Sequence, residues 1–138
     1  MKQHTTNYFN TFISVAEDCP ATTGEAPLNK AGKPTIAAMQ LEMIKSHPYQ
    51  FTSDDVIFEV FATRNQIPEE DQSSARKIYF SKGQACLRTS PLTKRYGWGV
   101  HSNAEGKIAV YPVESAEYQK FAMDKRLNHT CAMRSRRK

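Results

Sequence analysis

Long apolar runs are missing from this chain. None approaches the ~20 residues that a membrane-spanning helix needs, so no membrane partner is expected. The opening MKQHTTNYFN carries a lysine but no apolar stretch, so no secretory signal is expected and the cytoplasm is the expected compartment. Cysteine is scarce: Cys19, Cys86 and Cys131. An odd number of thiols without a signal argues against a disulfide framework, and reduced thiols buried as small apolar groups are the ordinary reading. GxxxxGKS/T and GxGxxG are both absent, which excludes the standard phosphate loops. CxxC and HExxH are absent too. The soft ligands His4, Cys19, Cys86, His101, His129 and Cys131 are scattered, and His129-Thr130-Cys131 has too little company for zinc. Neither a metal nor a cofactor is expected. There is no internal repeat and no low-complexity block.

What is present is enough for a folded domain. The chain has 138 residues, 39% of them apolar and 10% aromatic. That length matches one domain and buries roughly two thirds of its unfolded surface. Acid is absent from two stretches. Residues 72–104 hold Arg76, Lys77, Lys82, Arg88, Lys94 and Arg95, and residues 125–138 hold Lys125, Arg126, Arg134, Arg136, Arg137 and Lys138. Each carries +6 against a chain total of +5, so the remainder carries −7. Such a dipolar molecule favours anionic partners, although basic faces also serve only to keep a protein solvated.

The pattern predicts an α+β domain over residues 1–124, with a small, mostly antiparallel sheet and helices packed on one side. Residues 125–138 read as a basic, fraying tail. Asn10–Ala16 reads as a strand and Asp18–Pro34 as a long loop. A helix follows Pro34-Thr35, with Ile36, Met39, Met43 and Ile44 on one face, and His47-Pro48 stops it. Thr52-Ser53-Asp54-Asp55 caps a second helix, whose apolar face is Val56, Ile57, Val60 and Phe61. Pro68 opens a third, with Lys77, Lys82 and Gly83 at its end. Ala85–Thr89 reads as a strand. Tyr96–Ser102 and Lys107–Val113 form a hairpin turned at Asn103–Gly106, and Ser115–Met123 a last short helix.

The densest chemistry lies between Phe80 and His101. Lys82, Arg88, Lys94 and Arg95 supply cations, and Thr89, Ser90 and Thr93 supply hydroxyls, the groups that hold phosphate or carboxylate. Tyr96 and Trp98 offer flat contacts, with Gly97 and Gly99 permitting close approach. The competing reading makes Trp98 a core residue of a half-buried strand. A second constellation pairs Cys86 with His101, on strands that would be neighbours. Imidazole beside thiol yields a thiolate nucleophile, with Asp18 or Asp54 to orient the ring. His4-Thr5-Thr6-Asn7-Tyr8 reads as a polar patch that pins the chain to loop backbone. His47 reads as a helix stop, Asp54-Asp55 as a cap, and the arginines of the tail as a solvated end.

Taken together, HTTNYFNTFISVAEDCP (residues 4–20), GKPTIAAMQLEMIKSHPY (32–49), TSDDVIFEVFATR (52–64), FSKGQACLRTSPLTKRYGWGVH (80–101), KIAVYPVESAEY (107–118) and AMRSRR (132–137) carry a resemblance. The chain resembles a family of small bacterial proteins classed as a domain of unknown function. The resemblance implies a bacterial, single-domain protein and no particular activity. Where that family reads closer to YGVES, this chain has Tyr111-Pro112-Val113-Glu114-Ser115. The proline removes a backbone donor and so predicts an edge strand.

The expected function is a binding module for an anionic ligand, a nucleotide or a nucleic acid. The expected ligand-binding residues are Lys82, Arg88, Lys94, Arg95, Tyr96 and Trp98. The alternatives are an enzyme using Cys86 with His101 on an anionic small molecule, and a protein–protein adaptor without chemistry.

Overall fold

Local capping decides where the helices begin. In the computed structural model, which describes residues 2–29 and 31–135, α2 spans Ser53–Arg64 behind a full capping box. Thr52 Oγ1 accepts the Asp55 amide at 3.1 Å, and the Asp55 carboxylate accepts the Thr52 amide at 3.0 Å. Helix α1 (Ile36–Ser46) starts on Thr35, whose hydroxyl accepts the Ala38 amide. Helix α3 (Glu69–Tyr79) follows Pro68 with three acids in its first turn. Helix α4 (Pro91–Lys94) is capped by Ser90, and α5 (Ala116–Ala122) by Ser115.

Four strands form one sheet, in the order β3 (Ile108–Pro112), β2 (Trp98–Ser102), β1 (Thr11–Ser14), β4 (Asn128–Cys131). The β3–β2 and β2–β1 pairs are antiparallel, and β1–β4 is parallel. The fold is therefore α+β with a mostly antiparallel sheet, and Pro112 ends an edge strand. Alternation along the strands sends Ile13, Val100 and Ile108 to one face, where Ile44 of α1, Val56 and Ile57 of α2, and Leu87 join them in a buried cluster. Each fully buried aliphatic side chain there is worth about 1.5–3 kcal/mol. Phe12, His101 and Tyr111 point to the other face, against Phe121 of α5.

Three sequence expectations are corrected. Helix α1 is rotated from its expected face. It buries Ala37, Gln40, Leu41 and Ile44, while Ile36 stays 47% exposed and Met39 and Met43 are half-buried. Gln40 tolerates burial because its Oε1 accepts the Ser90 hydroxyl at 2.6 Å. The expected strand at Ala85–Thr89 is a 3-10 turn over Leu87–Thr89. Hydroxyls there satisfy carbonyls locally, Thr89 on Cys86 and Thr93 on Leu87, so the backbone has no need of a ladder. Finally, the stretch after residue 124 is not all tail. Asn128–Cys131 pairs with β1 as β4, and Ala132 is 2% exposed. Nothing local in RLNHTC marks a strand; the open edge of β1 supplies its partners. Arg136, Arg137 and Lys138 of the expected tail lie outside the described residues.

Candidate functional site

The segment Phe80–His101 does not gather its cations. Lys82 is exposed on the turn after α3, and Arg95 is exposed at the end of α4 beside the half-buried Lys94. Arg88 is turned toward β4, where its Nε donates to the Cys131 carbonyl at 2.8 Å. Trp98 is 6% exposed and packs on Ala37, Leu41 and Leu92, with its indole N–H donating to the Glu25 carbonyl at 2.8 Å. Its ring is core, with Lys45 Nζ at 5.5 Å from the centroid. The glycines flanking it do permit close approach, but by the protein itself. A side chain at Gly97, whose φ is +82°, would meet the Thr23 carbonyl, and one at Gly99 would come within 2.6 Å of Tyr118. Of the six residues expected to bind ligand, Tyr96 alone lines one of the four cavities described here.

That cavity, about 810 Å³, lies between residues 31–35, the first turn of α1, the end of α2, and Pro91 with Tyr96. Lys33 and Arg64 bring two positive charges to its wall. Thr35 and Thr63 add hydroxyls, Gln66 adds an amide, and no aspartate or glutamate is among the described residues that line it. Both cations are exposed, and Arg64 Nη1 reaches back to the Pro34 carbonyl at 3.5 Å. Sequence reasoning missed both, because they fall outside the acid-free stretches. Their signal was positional: one lysine just before a helix cap and one arginine closing a helix, within two of the stretches that carry the family resemblance.

Across Pro34, Met39 and Thr63, which line both, lies a second cavity of about 630 Å³ between α1 and α2. Its wall is apolar, with Ala38, Met39, Met43, Phe51 and Val60, and its charged members are Glu42 and Glu59. Glu42 accepts the Ser46 hydroxyl, whereas Glu59 makes no hydrogen bond or ion pair with another described residue. Two adjoining cavities thus carry opposite charge.

A family model of unknown function matches residues 3–138. The chain belongs to DUF6157. No curated protein and no solved structure matches it. Among the described residues of this DUF6157 chain, no helix is long and apolar enough to cross a membrane, and no three His, Cys, Asp or Glu side chains gather as metal ligands.

The DUF6157 structure keeps Cys86 and His101 apart, correcting the expected pair. Ala85–Thr89 is not a strand, so Cys86 is not carried beside β2. Its Sγ lies 3.7 Å from the Tyr8 hydroxyl, on the wall of a cavity of about 370 Å³ under α1 and α2. His101 projects from the opposite face of the sheet. Its Nδ1 lies 2.8 Å from the Tyr49 hydroxyl, which in turn lies 2.8 Å from the Tyr111 hydroxyl, and its ring stacks on Phe121 with centroids 4.2 Å apart. Burial lowers the His101 pKa, and the charge of Asp124 opposes that shift. Burial likewise raises the Tyr49 pKa, with Tyr111 adding to the effect, so the phenol stays protonated. Neither acid named to orient His101 does so. Asp54 accepts from Thr5 and Thr6, and Asp18 accepts the Ser135 amide. Thr5, Thr6 and Asn7 thereby pin the first residues to the Asp54 carboxylate and amide of α2, where loop backbone was the expected partner.

Proposed function

We propose that this protein is a binding module for a small anionic ligand, held in the cavity of Lys33, Arg64 and Tyr96. One observation carries the reading: of the four cavities described above, this is the one whose described wall residues include two cations and no acid. Guanidinium and ammonium groups hold a phosphate or carboxylate oxygen by charge-assisted hydrogen bonds. The hydroxyls of Thr35 and Thr63 can donate to the same oxygens, and the Tyr96 ring closes one side. A small molecule fits better than a nucleic-acid strand, because Lys82, Arg88, Lys94 and Arg95 are not among the residues of this wall.

Phenyl phosphate tests the reading by isothermal titration calorimetry. Lys33→Ala together with Arg64→Ala is expected to weaken binding at least tenfold, since a hydrogen bond to a charged group contributes about 1.5–3 kcal/mol before solvent screening. Binding by the wild type is expected to weaken as salt rises. Lys94→Ala with Arg95→Ala is expected to leave it unchanged. Equal affinity in the wild type and the Lys33/Arg64 variant refutes the assignment.

A further inference from the structure

From the two adjoining cavities we infer that the ligand is an amphiphilic anion: a phosphate or carboxylate head at Lys33 and Arg64, with an unbranched alkyl chain laid past Met39 into the groove between α1 and α2. The inference rests on the anion-binding reading above and adds the rest of the molecule. Three features carry it. The two cavities adjoin along Pro34, Met39 and Thr63, which line both, so a ligand lying over these residues reaches from one into the other. The groove beyond them is lined by Ala38, Met43, Phe51 and Val60, and methionine side chains adapt to a flexible chain. Charge sets the direction. Glu42 and Glu59 repel an anionic head from the apolar end, while Lys33 and Arg64 attract it at the other. A groove of about 630 Å³ is of the size that encloses a single small ligand, so the occupant is a free monomer and not a lipid still seated in a bilayer.

The test is a series of alkyl phosphates from ethyl to octyl, titrated below their micellar concentrations. Affinity is expected to rise up to about fourfold per methylene, the full worth of burying one CH₂, until the groove is filled. Met43→Gln, which keeps length but adds an amide, is expected to flatten that rise while leaving ethyl phosphate binding unchanged. Equal affinity for ethyl and octyl phosphate overturns the inference and leaves the anion site standing. A rise that persists undiminished in Met43→Gln also overturns it, because the chain then lies elsewhere. Failure of every alkyl phosphate and of phenyl phosphate removes the anion site and the inference with it. Binding to phosphatidylglycerol vesicles without affinity for monomeric octyl phosphate overturns the free-monomer assignment. The wild-type series decides the matter even if the variant does not fold.

Discussion

Replacing Gly99 by alanine asks whether the glycines around Trp98 serve packing or a ligand. The added methyl would sit 2.6 Å from one carbon of Tyr118 and 2.7 Å from the tip of Phe12. Neither ring is free to swing away. Phe12 is fully buried, packs edge-on against Tyr118 with centroids 5.0 Å apart, and stacks on Phe121 at 5.7 Å. Tyr118 is tied by its hydroxyl, which accepts the Val15 amide at 2.9 Å. Forcing a methyl into a packed site costs about 1–3 kcal/mol. Against it stands a gain of ~0.4–1 kcal/mol from stiffening the unfolded chain. The net is a loss of about 1–2 kcal/mol, which lowers a urea midpoint by roughly 1 M at the slopes typical of small domains. Fluorescence of the buried Trp98 reports the transition. Gly83→Ala is the control: no neighbouring atom lies within 4 Å of its added methyl and its φ is not in the left-handed region, so it is expected to be neutral or slightly stabilising. A Gly99→Ala midpoint equal to or above that of the wild type would refute the packing of α5 on this face of the sheet.

Two further outcomes are expected. Asp54→Ala removes the acceptor of the Thr6 amide and of the Thr5 and Thr6 hydroxyls, leaving the two Thr6 donors buried; a loss of about 2–4 kcal/mol is expected, with amide exchange of residues 4–8 accelerating before that of the sheet. Unchanged exchange in that segment would count against the anchoring role. The lowered His101 pKa makes stability depend on pH in a definite sense. Unfolded histidine takes up its proton near pH ~6.5 while the folded one does not. Stability is therefore full above that value, declines as pH falls through the folded pKa, and changes no further below it on this account. His101→Gln is expected to remove the decline, measured as urea midpoints from pH 8 to 5. The Asp55 carboxyl, which burial raises but hydrogen bonds from Thr52 and the charge of Arg76 lower further, acts in a separate window below about 3.8.

What the sequence made legible was what is decided locally. Thr52 and Asp55 are three residues apart, so their reciprocal capping is written in one tetrapeptide. The hairpin turn is equally local: Gly106 takes φ +79°, and the Asn103 side chain accepts the amides of Glu105 and Lys107. The unread parts are set by partners far along the chain. Met39 and Met43 fit a helix stripe as well as Ala37 and Leu41 do; only the approach of Ser90 to Gln40 selects the face. Cys86 and His101 suggested a pair because both were placed on strands, and the hydroxyls of Thr89 and Thr93 overrode that reading. Lys33 and Arg64 come to one cavity wall only after α1 and α2 have packed, so no window of sequence holds both. The dense segment drew attention to cations that the fold then dispersed.

The parallel ladder between β1 and β4 has a consequence for biosynthesis. Thr11 pairs with Asn128, so residues as far along as Asn128 must leave the ribosome before that edge of β1 is covered. At roughly 5–20 residues per second the nascent strand waits on the order of ten seconds, a long interval for open backbone donors and acceptors that invite mispairing. Docking of the last strand is thus a late, non-local event, and a chaperone holding Thr11–Ser14 in the meantime would shield the chain at its most vulnerable point.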